Sequence, residues 1–253
     1  MLFSIRRLAT ACTLGACFAL PLPSGAAEIV VYAAGASKVA VEKLASAYQR
    51  LTGDTLVVRS DTVGALRDRI LQGERPELTV LSQAGIDALI AQGHVQARQT
   101  WPLGMVRAGL AVQRGAPVPD ISTVENLKKT LLQARTVAQA DGARGATSGA
   151  HFAKVIDQLG LRSALQAKLV VLPFGVDVIE GVAAGQFELG VSQSSEIVPH
   201  DTVRYVGDLP APFALRTPYA AAVVAGSAQG ERLLAFLASA AGMAAFTESG
   251  FAP

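Results

Sequence analysis

Cysteine is nearly missing from this chain, with 2 in 253 residues. That excludes a disulfide-stapled scaffold. Histidine is scarce too: His94, His151 and His200 are scattered, with no cysteine or carboxylate cluster beside them, so no zinc site is legible. Surplus charge is small, 22 basic against 20 acidic residues, which falls short of the basic stripe of a nucleic-acid binder. Catalytic signatures are absent as well. There is no HExxH, no G-x-S-x-G and no GxGxxG, and the glycine-rich loop 142–149 (GARGATSG) lacks the Lys-Ser/Thr of a P-loop. Apolar residues are plentiful at 51%, which excludes a disordered chain. The length allows one or two domains with a sizeable core.

Residues 1–27 read as an export leader. Arg6 and Arg7 form a positive start, residues 8–20 an apolar stretch, and Gly25-Ala26-Ala27 a small-residue cleavage site. The apolar stretch is short for a membrane span, and no later run reaches ~18 apolar residues. Cleavage after Ala27 is the expected route. Leu14-Gly15-Ala16-Cys17 is the alternative, a lipoprotein box with Cys17 as the new N-terminus, although the FALPLP that follows is unlike a polar tether. Either route exports the chain to the periplasm. Both cysteines, Cys12 and Cys17, lie in the leader. Removing Arg6 and Arg7 from the 22 basic residues leaves 20 against 20 acidic, so the exported body is formally neutral.

Beyond the leader, short β-rich runs alternate with helical ones. Strands are expected at 28–32, 55–59 and 77–81, with helices at 39–51, 63–72 and 86–93. Val41, Leu44, Ala45, Tyr48 and Leu51 share one face of the first helix, and Gly53 ends it. A longer strand is expected at 104–113. Residues 115–119 (GAPVP) then punctuate the chain. A second series has helices at 123–132, 149–159 and 176–184, and strands at 135–139, 168–172, 187–191 and near 202–206. A strand at 219–226 and helices at 231–240 and 242–249 close the chain. Near-continuous apolar strands alternating with helices predict an α/β fold with mostly parallel sheets covered on both faces. Two such series suggest two lobes and a cleft. Trp101, before Pro102 near the expected junction, is read as packing.

Three loops place small and hydroxyl residues at helix starts: Gly35-Ala36-Ser37, Ser60-Asp61-Thr62-Val63-Gly64 and Gly145-Ala146-Thr147-Ser148-Gly149. Unpaired N–H groups and the positive dipole end favour an anion there. In open α/β sheets such loops lie at the carboxyl ends of strands, where ligands bind. Taken singly, each loop is equally a plain N-cap. Arg59 and Arg144 are candidate carboxylate anchors. Arg67 reads as a helix-face residue paired with Asp68 or Glu74.

The chain resembles the periplasmic molybdate-binding proteins, type 2 solute-binding proteins of ABC importers. The resemblance rests on IVVYAAGAS, on GALRDRILQGERPELTVLSQ (64–83), on SGAHFAKVIDQLG (148–160), and on AAVVAG with a closing helix ending in ESGF (248–251). It implies the two-lobed periplasmic binding protein type 2 fold. Lobe 1 is expected from 28–110 and 213–253, lobe 2 from 111–212, and a ligand is captured as the lobes close. The family's ligand positions fall on Ala36, with Ser37 adjacent, and on Val63, with Thr62 adjacent. They also fall on Ser148, beside Thr147, on Val176 and on Gln193. Two family serines and a tyrosine are thus replaced, which argues against molybdate and for another small anion, a di- or tricarboxylate first.

Two functions follow from the resemblance. The first is an exported solute-binding protein capturing a small anion for an ABC permease. The alternative is that of the exported aconitate isomerase-like relatives, which interconvert cis- and trans-aconitate by an allylic proton shift. His151 and Glu196 are the candidate proton carriers, with helix-surface and local-capping roles as the plain readings. Neither function calls for a cofactor or a metal. A monomer with no nucleic-acid partner is expected.

Overall fold

The computed structural model describes residues 26–253. The leader, with Cys12 and Cys17, lies outside them except for its last two residues. The first series is β1 (Glu28–Ala34), α1 (Gly35–Thr52), β2 (Thr55–Asp61), α2 (Val63–Leu71), β3 (Leu78–Ser82) and α3 (Gln83–Ala91). The second is β4 (Val95–Gln113), α4 (Val124–Gln133), β5 (Val137–Ala140), α5 (Thr147–Gln158), α6 (Arg162–Leu165), β6 (Leu169–Leu172), α7 (Gly175–Ala183), β7 (Leu189–Gln193), α8 (Ser194–Ile197) and β8 (Val203–Asp208). The chain then runs through β9 (Arg216–Val224), α9 (Ala228–Leu237) and α10 (Ala240–Glu248).

Both series are parallel at heart. β1 lies between β2 and β3, and β5 lies between β6 and β7, parallel in each case. Parallel neighbours need a crossover, and the intervening helices supply it. Helix α1 follows from its stripe: Val41, Leu44 and Tyr48 are buried, and Gly53, at φ 82°, ends the helix with its N–H on the Gln49 carbonyl. Leu51 departs from expectation. It is 71% exposed, because the buried stripe ends at Tyr48 and the final turn carries Leu51 into solvent.

The strand order is β2-β1-β3-β9-β4-β7-β5-β6, with β8 also on β4. The 19-residue β4 serves both halves. Its Val95–Arg107 part pairs with β9, and its Ala108–Gln113 part pairs with β7 and β8. The strand was expected only from 104. Its first part, rich in Gln, Arg and Thr, shows no alternation, and antiparallel pairing to β9 holds it extended. The register slips around Pro102, which has no N–H to give the ladder. Trp101 stays 43% exposed there, which corrects its reading as a packing residue.

The apolar cores divide along the same line. One gathers Ile29, Leu66, Leu81, Val106, Phe246 and Phe251. The others gather Leu110, Phe152, Leu189 and Phe213, and Val178, Ile179 and Ile197. The chain passes from the first core to the others between Val106 and Ala108, and returns between Phe213 and Tyr219. Two chain crossings therefore lie behind the ends of β1, β3, β5 and β7, where the helix starts from both halves face one another.

Candidate functional site

A cavity of about 40 Å³ lies where these helix starts meet. Gly35 and Ala36 of α1, Thr62 and Val63 of α2, Ala146, Thr147 and Ser148 of α5, and Phe174 and Gly175 of α7 line it, with Gln193, Glu196 and Tyr219. A buried water needs roughly 10–15 Å³ on the same measure, so the space suits about three heavy atoms, one carboxylate.

Three of the helix starts at this cavity differ from those of α2, α3, α4, α9 and α10. α3, α4, α9 and α10 are capped by Ser82, Thr123, Ser227 and Ser239, whose hydroxyls accept a backbone N–H. α1, α5 and α7 begin after Ala34, Ala146 and Phe174, none of which provides a side-chain cap. Three helix starts in one cleft thus keep their first N–H groups for another acceptor.

The Glu196 carboxyl reaches between two of them. A Cβ on Gly35 would stand 2.8 Å from Oε1, and one on Gly175 would stand 2.2 Å from Oε2. Both glycines therefore make room for this carboxyl. Ser192 donates its hydroxyl to Oε2, and the Gln193 N–H donates to it at 3.3 Å. Burial pushes the Glu196 carboxyl above the ordinary glutamate range. The two hydrogen bonds pull it back, and Asp177 adds to the rise. Tyr219, 2% exposed on β9, is also raised, first by burial and then by Glu196. Its phenol therefore stays protonated beside the carboxyl. Gln193 is 3% exposed, and neither atom of its amide has a hydrogen-bond partner among the described residues. A buried amide without partners is costly, and a ligand in the cavity would relieve that cost.

The two halves touch at the rim. Thr62 accepts the Ala65 N–H at 3.2 Å and donates its hydroxyl to the Arg144 carbonyl on the facing half. Gly64 packs on Gly145, where a Cβ on either would lie within 3.0 Å of the other's Cα. The Arg144 guanidinium lies 5.3 Å from the Phe174 ring centroid and 4.0 Å from Asp61. Asp61 also pairs with Arg69 at 3.3 Å, which balances its charge beside the cavity.

The sequence pattern of bacterial extracellular solute-binding proteins matches residues 29–252. The chain belongs to that family. Among solved structures it resembles the periplasmic molybdate-binding protein of Azotobacter vinelandii at a TM-score of 0.73 and 18% identity, covering 89% of this chain and 99% of that one. It also resembles a sulfate-binding protein of Mycobacterium tuberculosis at 0.66 and 17%, covering 90% and 87%. An aconitate isomerase from a Pseudomonas species is 30% identical over 234 residues, 89% of this chain and 87% of that protein. These likenesses fit the mixed α/β, two-lobed architecture.

Of the residues that the sequence marks, Ala36, Thr62, Val63, Thr147, Ser148, Gln193 and Glu196 come together around the small cavity. The others do not. The Ser37 hydroxyl turns into the core and donates to the Ala34 and Val80 carbonyls at 2.9 and 3.3 Å. Arg59 is exposed on β2, away from the cavity. Arg144 stands behind Phe174 at the rim, and Val176 lines a neighbouring cavity of about 440 Å³ with Lys38, Asp177 and Glu180. His151, on α5, is held by the Phe213 carbonyl at 2.8 Å and lines a further cavity instead. Arg67 pairs with Asp68 at 2.7 Å. Gly35 and Asp61 lie in the loops that the sequence marks, whereas Phe174, Gly175 and Tyr219 were not singled out by it. Tyr219 lies on β9, a strand that returns from far along the chain, and no local spacing marks it. Among the described residues no group of three His, Cys, Asp or Glu side chains could hold a metal ion, and no helix is long and apolar enough to cross a membrane.

Two measurements probe these placements. Ser37→Ala should cost about 1 kcal/mol in urea unfolding and leave ligand affinity unchanged, because the hydroxyl serves core carbonyls. A large loss of affinity with unchanged stability would place Ser37 at the ligand instead. Glu196→Gln should alter how stability depends on pH. A carboxyl raised above its unfolded value of about 4.5 keeps its proton in the folded state after the unfolded chain has lost it, so stability falls as pH rises through that interval. The Gln variant lacks this slope, and its melting temperature should gain on the wild type from about pH 4.5 upward. Parallel curves would show that Glu196 titrates normally.

Proposed function

We propose that this protein is exported to the periplasm by residues 1–27 and there isomerises a small unsaturated carboxylate, as an aconitate isomerase. The observation that carries this reading is the Glu196 carboxyl, raised by burial and set between the starts of α1 and α7 beside the protonated Tyr219. A cavity for capturing an inorganic oxyanion gains little from an acidic side chain at its centre. A proton shift on carbon needs one.

In the proposed reaction Glu196, once ionised, takes a proton from the methylene carbon next to the double bond. The double bond moves over by one position, and Glu196 returns the proton to the carbon that had been vinylic. No electrons are gained or lost, and no cofactor is required. Charge that builds on the substrate carboxylate in between is met by the N–H groups of the uncapped helix starts, the Tyr219 hydroxyl and the Gln193 amide. Ala36, Val63, Thr147 and Ser148 shape the pocket, and Thr62 and Arg144 hold the halves together around it.

The 30% identity to an aconitate isomerase over nearly the whole chain supports this chemistry. The test is to incubate the purified protein with trans-aconitate and to follow the cis isomer by chromatography. Steady conversion supports the reading, and no conversion by folded protein rejects it.

A second reading is capture without chemistry, for delivery to an ABC permease. Membership of the solute-binding family and the contact of the two halves across the cavity favour it. Calorimetry separates the two, since a pure carrier binds trans-aconitate, citrate or an oxyanion and returns it unchanged.

A further inference from the structure

The small cavity has room for one carboxylate, yet the proposed substrate carries three. Two larger cavities adjoin it. The one of about 440 Å³ is lined by Asp177, Glu180 and Glu196 against Lys38 and His200, and Lys38 already has Glu42 at 3.9 Å. That lining does not favour further negative charge. The other, of about 770 Å³, lies on the side of the chain crossings and shares Val63, Ala146 and Thr147 with the small cavity.

Its chemistry is different. Arg67, His151, Lys154 and Arg216 line it, and among the described residues no carboxylate does. Arg67 is engaged with Asp68, but neither Lys154 nor Arg216 has a carboxylate within 4.0 Å among the described residues. His151 is anchored by the Phe213 carbonyl, which Nε2–H meets as donor, so Nδ1 is left for another partner. Thr217, on the same strand as Tyr219, lines this cavity as well. It is 7% exposed, and its hydroxyl is buried with no hydrogen-bond partner among the described residues. Lys154 and Arg216 are exposed at the cavity wall, whereas Thr217, the residue after Arg216 on β9, turns its buried hydroxyl to the opposite face of the strand, so the two cations are the groups that can meet a further carboxylate.

We infer that the cavity on the crossing side is a second subsite, where Lys154 and Arg216 bind the remaining carboxylates of a polycarboxylate held by the small cavity. This rests on the reading that the small cavity takes one carboxylate. It makes the protein selective for tricarboxylates over monocarboxylates that fit the small cavity equally well.

The test uses two probes that separate binding from chemistry. Tricarballylate has three carboxylates and no double bond, and crotonate has one carboxylate. The variants are Lys154→Gln with Arg216→Gln, and Lys128→Gln with Lys129→Gln as a control that removes two exposed charges on α4. The double variant should weaken tricarballylate by about tenfold or more in calorimetry, and crotonate should shift less than about twofold by NMR titration. The α4 control should bind both like the wild type. Unchanged tricarballylate affinity in the double variant overturns the subsite. So does an equal loss for both probes, an equal loss in the control, or a wild type that binds no tricarboxylate. If the selective loss is found while trans-aconitate stays unconverted, the subsite stands and the isomerase reading fails. If trans-aconitate is converted and the double variant binds tricarballylate normally, the isomerase stands and the subsite fails.

Discussion

Glu196→Gln should stop the conversion of trans- to cis-aconitate, lowering kcat by about 10²–10⁴-fold, while the protein stays folded and still binds tricarballylate. The amide is nearly isosteric with the neutral acid. Its oxygen can take the place of Oε2 and accept the Ser192 hydroxyl and the Gln193 N–H. Its NH₂ then lies by Gly35, where Oε1 lies now. What the amide cannot do is take and return a proton. The same physics sets the pH profile of the wild type. The base must be ionised, and burial raises the pH at which that happens, so kcat should climb through a value above the ordinary glutamate range and then level off. A raised basicity also narrows the gap to a weakly acidic carbon. If Glu196→Gln loses tricarballylate binding along with turnover, Glu196 is a ligand-positioning group. If turnover is unchanged, the proton carrier is another group.

Gly145→Ala should lower kcat/KM by about two orders of magnitude through geometry alone. Gly145 sits at φ 87°, and a Cβ there would lie 2.8 Å from the Cα of Gly64 and 3.0 Å from its nitrogen. Both are backbone atoms at the start of α2 and cannot swing aside. The methyl therefore holds the halves apart, which breaks the bond from Thr62 to the Arg144 carbonyl and opens the small cavity. Backbone strain confounds the reading, since a left-handed alanine costs roughly 1–2 kcal/mol by itself. Gly160→Ala controls for it. Gly160 has φ 67°, lies in the same half, and a Cβ there meets nothing within 4 Å. Both variants should lose similar stability in urea, and only Gly145→Ala should lose activity. Equal activity in the two would mean that the contact between the halves does not shape the site.

The strands and helices of the first series were legible because their patterns are local. The near-continuous apolar β1 and β3 and the stripe of α1 need no tertiary information. The anion-friendly helix starts were legible for the same reason, but which hydroxyl faces the cleft was not. Ser37 and Thr62 look alike in sequence, yet one turns into the core and the other joins the two halves. Arg59 fails for a related reason, since strand alternation says only that it faces one side. Glu196 was named as a candidate proton carrier for the isomerase alternative, but its helix, four residues long, is too short to leave a periodicity that would place it. Its two glycine neighbours come from loops 161 and 21 positions upstream, so the pocket that accepts it forms only when both halves meet. Tyr219, Thr217 and Arg216 belong to a strand that returns across the chain crossing, and no spacing in the sequence links them to α1 or α5.

The most direct test is proton NMR of trans-aconitate and of cis-aconitate with catalytic protein in D₂O. A proton shift at carbon through Glu196 predicts the same isomer mixture approached from either side, with deuterium entering the methylene and vinyl positions in those turnovers where the Glu196 proton exchanges with solvent before it is returned, and neither change with Glu196→Gln. A folded wild type that binds the tricarboxylate, yet leaves both isomers unexchanged and unconverted, would contradict it and leave a carrier in place of an isomerase.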